Sequence, residues 1–325
     1  VSEEIEKTDI FRDVKLADFE EALADGRIEY IGDALIERYY AAVMAQALRP
    51  EVGKAAGLRL VYSPLNGSGL VPVMTVLKRM GHTDITVVPE QEQPNGDFPT
   101  CPYPNPEILE AMQLGLNLCE KLGADLLLAT DPDSDRVGTA VLQNGTPRLI
   151  SGNEMGALLL DYICRTRLEL HKMPEHPVAV RSIVSTTMTD AIAAHYGVEM
   201  RQVLTGFKYI GEQIAHLEAE GHPERFIFGF EESYGYLAGG YVRDKDAVVA
   251  SMLICEMAAW YKGQGKNLGE ALDDLYAQYG FYFNKVDSYT FPGSDGMAKM
   301  AALMETLRTE LPIAIAGRPV TGHTD

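Results

Sequence analysis

The sequence predicts an α/β protein with two tandem, similar α/β domains whose sheets are mostly parallel or mixed. The first observation is an order of strand, helix, strand, helix and strand between residues 58 and 128. The second is the same order of elements between residues 178 and 230. The third is an acidic loop directly after the last strand of each stretch, where open α/β sheets place their functional loops.

The size and composition are those of a globular protein with more than one domain. A chain of 325 residues is too long for one ordinary hydrophobic core, and 46% hydrophobic with 23% charged residues is usual for a soluble protein. The net charge of -19 argues against nucleic acid and anionic membrane as partners. A small phosphorylated ligand stays possible, because a local group of Arg and Lys can outweigh the overall field.

The lack of recognisable targeting signals predicts a cytoplasmic protein. No apolar run approaches the roughly 18–20 residues that a membrane helix needs, and no signal peptide is recognisable. The four cysteines are far apart and form no CxxC motif, which predicts reduced thiols in a cytoplasmic protein.

Three apolar runs predict the strands of the first domain: 58–63, 85–88 and 124–128. The helix between the first two strands is expected to stop at Gly81. The next helix is expected to have Asn105 as its N-cap, Pro106 at its first position and Gly123 at its end. An Asn144-Gly145 turn between two apolar runs predicts a hairpin that closes this domain.

The second half repeats this order after a long helix. Ser151 and Glu154 form a predicted capping box for that helix, which runs to about Arg167. The elements that follow are strands at 178–184, 199–204 and 225–230 and helices at 187–196 and 207–220. Residues 1–50 are also predicted to be helical, most clearly at 35–48. A pair of helices is predicted within 246–280. A strand at 285–291 and a helix at 296–307 are predicted to follow.

The loop after the third strand is the most informative segment. Asp131, Asp133 and Asp135 alternate, and in an extended segment such side chains point to one side, where a hard divalent cation relieves their repulsion. Arg136 follows at once and suits a phosphate beyond the metal. Magnesium-assisted phosphate chemistry competes here with a simple solvated Asp-Pro turn. An EF-hand is excluded, because its Gly and Glu positions hold Arg136 and Leu142.

Three groups of polar residues stand at strand ends in the second half. They are the junction residues Thr205, Gly206 and Lys208, the loop residues Glu231 and Ser233, and the cation Lys245. Free backbone N–H groups beside a lysine suit an anion or a sugar oxygen. A carboxylate with a hydroxyl suits paired sugar hydroxyls, and a lysine suits phosphate binding or proton transfer. Each group alone is equally explained by a helix cap, a polar loop or an exposed lysine, but their shared position favours a site.

Taken together, these loops resemble those of the α-D-phosphohexomutase family, which includes phosphoglucomutases and phosphomannomutases. The matching segments are 130–136, 205–208, 229–233 and 245–246. Phe230 and the Tyr234-Gly235-Tyr236 run look closest to the phosphoglucomutase–phosphopentomutase branch. The resemblance covers roughly residues 30–325.

The resemblance implies a four-domain parent enzyme. Residues 29–150 would be its metal-loop domain and 151–282 its sugar-binding domain. Residues 1–28 would be the exit segment from a missing first domain, and residues 283–325 would lead into a missing C-terminal domain. The parent would be an isomerase of carbohydrate metabolism that interconverts a sugar 1-phosphate and a sugar 6-phosphate, foremost of glucose, through a phosphoserine and a bisphosphate. This sequence holds neither a Ser-His-Asn-Pro nor an Arg-x-Ser-Gly-Thr segment, so the chain alone is expected to be inactive.

The resemblance also implies roles for the singled-out residues. Mg²⁺ would be held by Asp131, Asp133 and Asp135, weakly without the phosphoserine, and Arg136 and Lys245 would serve catalysis. The substrate would contact Thr205, Gly206, Lys208, Glu231 and Ser233. The partners would be a sugar phosphate and the missing domains of the same polypeptide, not nucleic acid or membrane. A magnesium-dependent sugar-phosphate phosphatase and a non-catalytic sugar- or metal-binding module remain alternatives, and glucose, mannose and pentose phosphates all remain open.

Overall fold

The computed structural model describes residues 2–285 and 289–322. The chain divides into two compact units at the Tyr282–Phe283 junction. Within the described ranges, the first unit holds a five-stranded and a four-stranded sheet, and the second unit holds a short hairpin. The two large sheets confirm the predicted tandem α/β arrangement.

The first sheet is mixed. Its strands are β1 (Leu60–Ser63), β2 (Ile85–Val87), β3 (Leu126–Thr130), β4 (Val137–Gln143) and β5 (Thr146–Ile150), in the order β2-β1-β3-β4-β5. β1 is parallel to β2 and β3, whereas β3, β4 and β5 are antiparallel neighbours. Every residue of β1 and β3 is buried, as expected for parallel strands covered on both faces. The predicted hairpin is confirmed, with Asn144 and Gly145 both at positive φ.

In the described part of the chain, helices precede β1 and separate the first three strands, and the two predicted between β1 and β3 are confirmed. They are α1 (Ser2–Lys7), α2 (Phe19–Ala24), α3 (Asp33–Met44), α4 (Val52–Ala56), α5 (Leu70–Arg79) and α6 (Leu109–Leu122), with a 3₁₀ turn at Pro89–Gln91. α6 ends at Gly123 with φ 60° as predicted, but its predicted start was wrong. The side chain of Asn105 accepts a hydrogen bond from the N–H of Glu107 at 3.0 Å, which makes a local turn instead of a helix cap.

The second sheet repeats the strand arrangement of the first. Its strands are β6 (Val178–Ser182), β7 (Glu199–Val203), β8 (Phe226–Glu231) and β9 (Gly235–Leu237), in the order β7-β6-β8-β9. β6 is parallel to β7 and β8, and β9 is antiparallel to β8. The sequence did not predict β9, because three residues are too few for a periodic signal. The acidic loop after β8 is therefore the tight turn of a hairpin.

Five helices within the described part of the chain accompany the second sheet. They are α7 (Gly152–Glu169), α8 (Met188–Tyr196), α9 (Phe207–Ala219), α10 (Ala247–Lys262) and α11 (Leu268–Tyr279), with a 3₁₀ turn at Pro223–Arg225. The capping box of Ser151 and Glu154 at the start of α7 is confirmed. Asn267 and Glu270 form a second capping box at the start of α11.

Helix α10 joins the two sheets into one hydrophobic core. Nearly all of its residues are buried, because it packs on α4 and α5 beside the first sheet and on β9 of the second. The sheets also meet directly, since Arg136 and Gly235 form an antiparallel bridge and the N–H of Val137 donates to the carbonyl of Tyr234 at 3.1 Å. The loops that follow β3 and β8 are therefore brought together.

The second unit consists of α12 (Gly293–Thr309) and the hairpin β10 (Ala314–Ile315) with β11 (Arg318–Pro319). α12 confirms the predicted helix at 296–307. The predicted strand at 285–291 falls partly on residues 286–288, which lie outside the described residues, and its described residues are not in a strand. Across 2–285 and 289–322, no helix combines the length and apolarity needed to cross a membrane.

Candidate functional site

The three predicted aspartates converge at the carboxyl end of β3. Asp131, Asp133 and Asp135 each offer a carboxylate oxygen, and these atoms lie within 4.8 Å of one another. The predicted reason for this convergence was wrong, because residues 132–135 form a turn and not an extended segment. Ser134 stands at φ 59° and donates its N–H to the carbonyl of Asp131 at 3.0 Å. The turn, not strand alternation, gathers the carboxylates around one point.

Asp131 is the buried anchor of this cluster. Its side-chain Oδ1 accepts hydrogen bonds from the backbone N–H groups of Asp135 and Arg136, both at 3.0 Å. Burial raises the pKa of Asp131, and repulsion from the other two carboxylates adds to the rise. A cation placed among the three groups would relieve both effects.

The residues present fit a hard divalent cation. The three carboxylates supply the oxygen ligands that Mg²⁺ prefers. The Oδ1 atom of Asp135 is buried and accepts no hydrogen bond, which leaves it available to a metal. In the described ranges, the three aspartates are the one group of three or more His, Cys, Asp or Glu residues close enough to share an ion.

The loop after β1 holds the aspartate loop in place. Ser68 donates its N–H at 2.8 Å and its hydroxyl at 3.0 Å to the carbonyl of Pro132. A Cβ on Gly67 would lie 2.2 Å from the Cα of Pro132, so only glycine permits this approach. The sequence placed this loop at a strand end but did not reveal its supporting role.

Arg136 lies beside the carboxylates and carries a second acidic contact. Its Nε is 3.9 Å from Asp131 Oδ2 and 3.7 Å from Asp135 Oδ1, and its Nη1 is 3.4 Å from Glu107 Oε1. Burial raises the pKa of Glu107, although Arg136 opposes the rise. Glu107 was not predicted, since it lies almost thirty residues before the aspartate loop.

Lys245 connects the two halves of the molecule. Its Nζ lies 2.7 Å from Asp135 Oδ2 and 6.0 Å from the centre of the Phe207 ring at the start of α9. Its stem packs on Gly235, where an added Cβ would lie 2.5 Å from the Cδ of Lys245. Burial alone would lower the pKa of Lys245, but its hydrogen bond and charge contact with Asp135 raise it, so the ammonium is protonated.

Glu231 occupies the end of β8 and faces the start of α9. It is 5% exposed, and its Oε1 accepts a hydrogen bond from the N–H of Gly206 at 2.6 Å. Gly206 has φ 124°, a conformation that requires glycine. Burial raises the pKa of Glu231. The structure thus joins two of the predicted groups, the junction before α9 and the loop after β8.

The other predicted residues of the second half are more exposed. Thr205 and Lys208 are exposed around the start of α9, and Ser233 is half-buried in the turn between β8 and β9. The Nζ of Lys208 lies 4.8 Å from the centre of the Tyr209 ring. Lys208 therefore contacts its neighbour on α9 and is not joined by this contact to Glu231 or to the aspartates.

A hydrogen-bond network behind Lys245 was missed by the sequence analysis. Asp246 caps α10 by accepting from the N–H groups of Val248 and Val249, at 2.8 and 3.3 Å. It also accepts from the hydroxyls of Tyr39 at 3.0 Å and Tyr241 at 2.5 Å. Tyr39 belongs to α3, more than 200 residues away, so no local pattern links it to Asp246.

Glu232 is a second missed residue with specific partners. Its Oε2 accepts from the hydroxyl of Ser182 at 2.7 Å and from that of Ser185 at 3.4 Å. A Cβ on Gly152 would lie 1.9 Å from the carbonyl oxygen of Glu232, so the first turn of α7 supports this loop as Gly67 supports the aspartate loop.

The fold and the site define a tandem α/β/α protein with a candidate divalent-cation site between its halves. Residues 37–145 match the family described as phosphoglucomutase/phosphomannomutase, alpha/beta/alpha domain II. Residues 151–279 match alpha/beta/alpha domain III of the same family. The chain belongs to the α-D-phosphohexomutase family, which confirms the resemblance seen in the sequence.

Individual relatives agree with this assignment. A phosphoglucomutase of Staphylococcus haemolyticus is 37% identical over 269 residues, which are 82% of this chain and 48% of the relative. A phosphoglucomutase of Staphylococcus aureus (strain bovine RF122) is 36% identical over the same shares. The chain therefore spans about half the length of the curated relatives it matches.

Solved structures share the fold. A putative phosphomannomutase from Thermus thermophilus has a TM-score of 0.61 at 24% identity, covering 75% of this chain and 51% of that one. The open form of the Paramecium phosphoglucomutase pp63/parafusin has a TM-score of 0.58 at 17% identity, covering 85% of this chain and 46% of that one. At these identities the likeness shows the architecture alone.

Proposed function

We propose that this chain is the central part of an enzyme that interconverts a sugar 1-phosphate and a sugar 6-phosphate through a phosphoserine and a bisphosphate. The contact of Lys245 with Asp135 supports the proposal most, because it joins the aspartate loop of one half to the half that would bind the sugar. The names of the relatives favour glucose over mannose and pentose phosphates, and a mutase over the phosphatase and binding-module alternatives.

The first half would bind the cation and a phosphate. Asp131, Asp133 and Asp135 would hold Mg²⁺, which when bound supplies positive charge to the oxygens of a phosphoryl group in transfer. Arg136 lies beside two of these carboxylates and would donate to a phosphate oxygen. Its contact with Glu107 is long, at 3.4 Å, so a phosphate would replace a weak partner.

The second half would bind the sugar. Glu231 is fixed through one oxygen by the N–H of Gly206, which leaves the other oxygen to accept from sugar hydroxyls. Ser233 would contribute a hydroxyl, and Thr205 and Lys208 would contact the substrate from the start of α9. Lys245 carries a protonated ammonium in this structure and would act as a proton donor or a phosphate ligand.

The assignment extends to the whole polypeptide. Residues 29–150 and 151–282 would be its metal and sugar domains, joined through 1–28 and 283–325 to the rest of a cytoplasmic enzyme. The chain of 325 residues is expected to show no mutase turnover alone, because its sequence holds no Ser-His-Asn-Pro segment to supply a phosphoserine. Its partners would be a sugar phosphate and the other domains of the same polypeptide.

The test is turnover by the product of the full reading frame. It should convert glucose 1-phosphate to glucose 6-phosphate, faster than mannose and ribose phosphates assayed in parallel. Glu231→Gln should lower turnover at least about tenfold while leaving Mg²⁺ affinity unchanged, because a charged hydrogen bond to the sugar is lost. Glu212→Gln, at an exposed position on α9, is the matched control. Failure to convert any of the three sugars would overturn the proposal.

A further inference from the structure

One of the three candidate metal ligands, Asp135, forms a close ion pair with a lysine. The Nζ of Lys245 lies 2.7 Å from Asp135 Oδ2, and their side chains are only 13% and 24% exposed. A divalent ion bound by the same carboxylate would lie within about 5 Å of the ammonium, where two cations in a half-buried site repel strongly. The two cations therefore compete for Asp135.

The main chain directly after Lys245 is held by two backbone hydrogen bonds. The N–H of Asp246 donates to the carbonyl of Tyr236 at 3.0 Å, and that of Ala247 donates to the carbonyl of Ser134 at 3.1 Å. Asp246 is fixed further as the cap of α10. A change of partner by Lys245 would therefore involve its flexible side chain and leave the backbone in place.

Alternative partners for the ammonium lie close by. Its Nζ is 3.3 Å from Asp244 Oδ1, on a side chain that is 70% exposed. The Phe207 ring, at 6.0 Å, offers an aromatic face next to Gly206, whose N–H holds Glu231. Neither alternative partner is one of the three aspartates, and Phe207 directly follows Gly206, whose N–H holds Glu231.

We propose that Lys245 is an internal competitor of the divalent cation, so that metal binding detaches its ammonium from Asp135 and turns it toward Asp244 and the start of α9. The inference rests on the proposed function only in taking the three aspartates as the metal site. Because coupling between two bound cations is reciprocal, Lys245 weakens metal binding by the factor by which metal weakens the Lys245–Asp135 pair. Loading of the metal and release of the lysine become one event.

Manganese binding to the 325-residue chain tests the competition. Mn²⁺ titrations followed by electron paramagnetic resonance should give a dissociation constant about tenfold lower for Lys245→Met than for the unchanged chain. Lys266→Met is the matched control, since it removes the same charge from a lysine paired with Asp274 at 2.5 Å. The control should change the constant less than about twofold.

A second measurement follows the lysine itself. Acylation by acetic anhydride, mapped by mass spectrometry, should label Lys245 at least about fivefold faster when Mn²⁺ is added and leave Lys266 unchanged. Asp135→Asn should give fast labelling of Lys245 without metal. Equal Mn²⁺ affinity of the unchanged chain and Lys245→Met, or labelling indifferent to Mn²⁺, would overturn the inference and leave the metal site standing. Absence of Mn²⁺ binding in the unchanged chain and in every variant would overturn both the inference and the assignment of the three aspartates as a metal site.

Discussion

The two halves of the first unit have acidic loops at the same topological position, but the carboxylates of the two loops have different partners. Both sheets share one strand arrangement, and each loop joins the third strand to an antiparallel fourth. Both turns also contain a residue at positive φ, Ser134 in the first and Tyr234 in the second. The shared backbone therefore does not decide what either loop binds.

The difference lies in the donors around the carboxylates. In the second half, Glu231 accepts from Gly206 and Glu232 accepts from Ser182 and Ser185, so protein groups stabilise each charge. In the first half, three carboxylates converge. Asp131 accepts two backbone N–H groups, but Oδ1 of Asp135 receives no hydrogen bond. The carboxylates of the second half therefore have their own protein donors, whereas the first half gathers more negative charge than its hydrogen bonds satisfy, and a cation would offset it.

The largest expected effect tests this contrast directly. On the proposed function, Asp131→Asn in the full-length polypeptide should abolish Mn²⁺ binding and lower turnover about a thousandfold, because it removes the buried candidate ligand of the cluster. Glu231→Gln should lower turnover while leaving Mn²⁺ affinity unchanged. Titration of Mn²⁺ and a coupled glucose 6-phosphate assay measure both effects. Unaltered Mn²⁺ affinity in Asp131→Asn would remove the basis of the comparison.

A third buried carboxylate extends the comparison to pH. Glu256 on α10 accepts from the N–H of Leu48 at 3.0 Å and the hydroxyl of Tyr162 at 2.9 Å, yet burial raises its pKa to about 7. Because the pKa of Glu256 is higher in the folded than in the unfolded state, its protonated carboxyl contributes stability below pH 4.5. This contribution is lost as pH rises through about 7.

Replacing Glu256 should therefore change how stability depends on pH. We compare the free energy of unfolding of Glu256→Gln with that of the unchanged chain. As pH rises from 4.5 to 8, the difference should shift by about 3 kcal/mol in favour of the variant. Urea denaturation at the two pH values measures the gain. A difference independent of pH would show that the two donors are enough to stabilise the ionised carboxylate.

The supporting glycines offer a further way to separate the halves. Gly67→Ala should cost about 1–3 kcal/mol of stability and weaken Mn²⁺ binding, because its Cβ would collide with the backbone of Pro132. Gly152→Ala should cost a similar amount through its collision with Glu232, but should raise the KM for the sugar phosphate instead. Gly96→Ala, whose Cβ would meet nothing within 4 Å, is the control for both. Urea denaturation, Mn²⁺ titration and KM measurements would distinguish the outcomes, and identical effects of the first two variants would contradict separate roles.

The smallest effect concerns the network behind Lys245. Tyr241→Phe should cost about 1 kcal/mol of stability, since Asp246 keeps its contacts with Tyr39 and the start of α10. Thermal unfolding measures this cost, with Tyr209→Phe at a half-buried position on α9 as comparison. A loss above about 3 kcal/mol would mean that Tyr241 is needed for the cap itself.

Several features of the fold could be predicted because their causes are local. The capping box of Ser151 and Glu154 and the Asn144-Gly145 turn depend on residues that are neighbours in sequence, and the structure confirms both. The start of α6 shows the limit of such reasoning. Asn105 has the side chain of a helix cap, but its bond to the N–H of Glu107 makes a turn instead.

The candidate site was predictable in its residue types and only partly in its geometry. The number and spacing of acidic residues indicated a cation between Asp131 and Asp135, although a turn and not an extended segment brings them together. No pattern in the sequence linked Tyr39 to Asp246 or Lys245 to Asp135, because each pair is more than 100 residues apart.

The sequence alone determined most elements of the two domains, their order, and where the acidic loops stand, because hydrogen bonds between near neighbours and apolar periodicity control those features. Tertiary structure decided which loops face each other, which carboxylates receive donors, and how far the pKa of Glu256 rises. Those properties depend on desolvation and on contacts between distant segments, and both exist only when α10 packs against the two sheets.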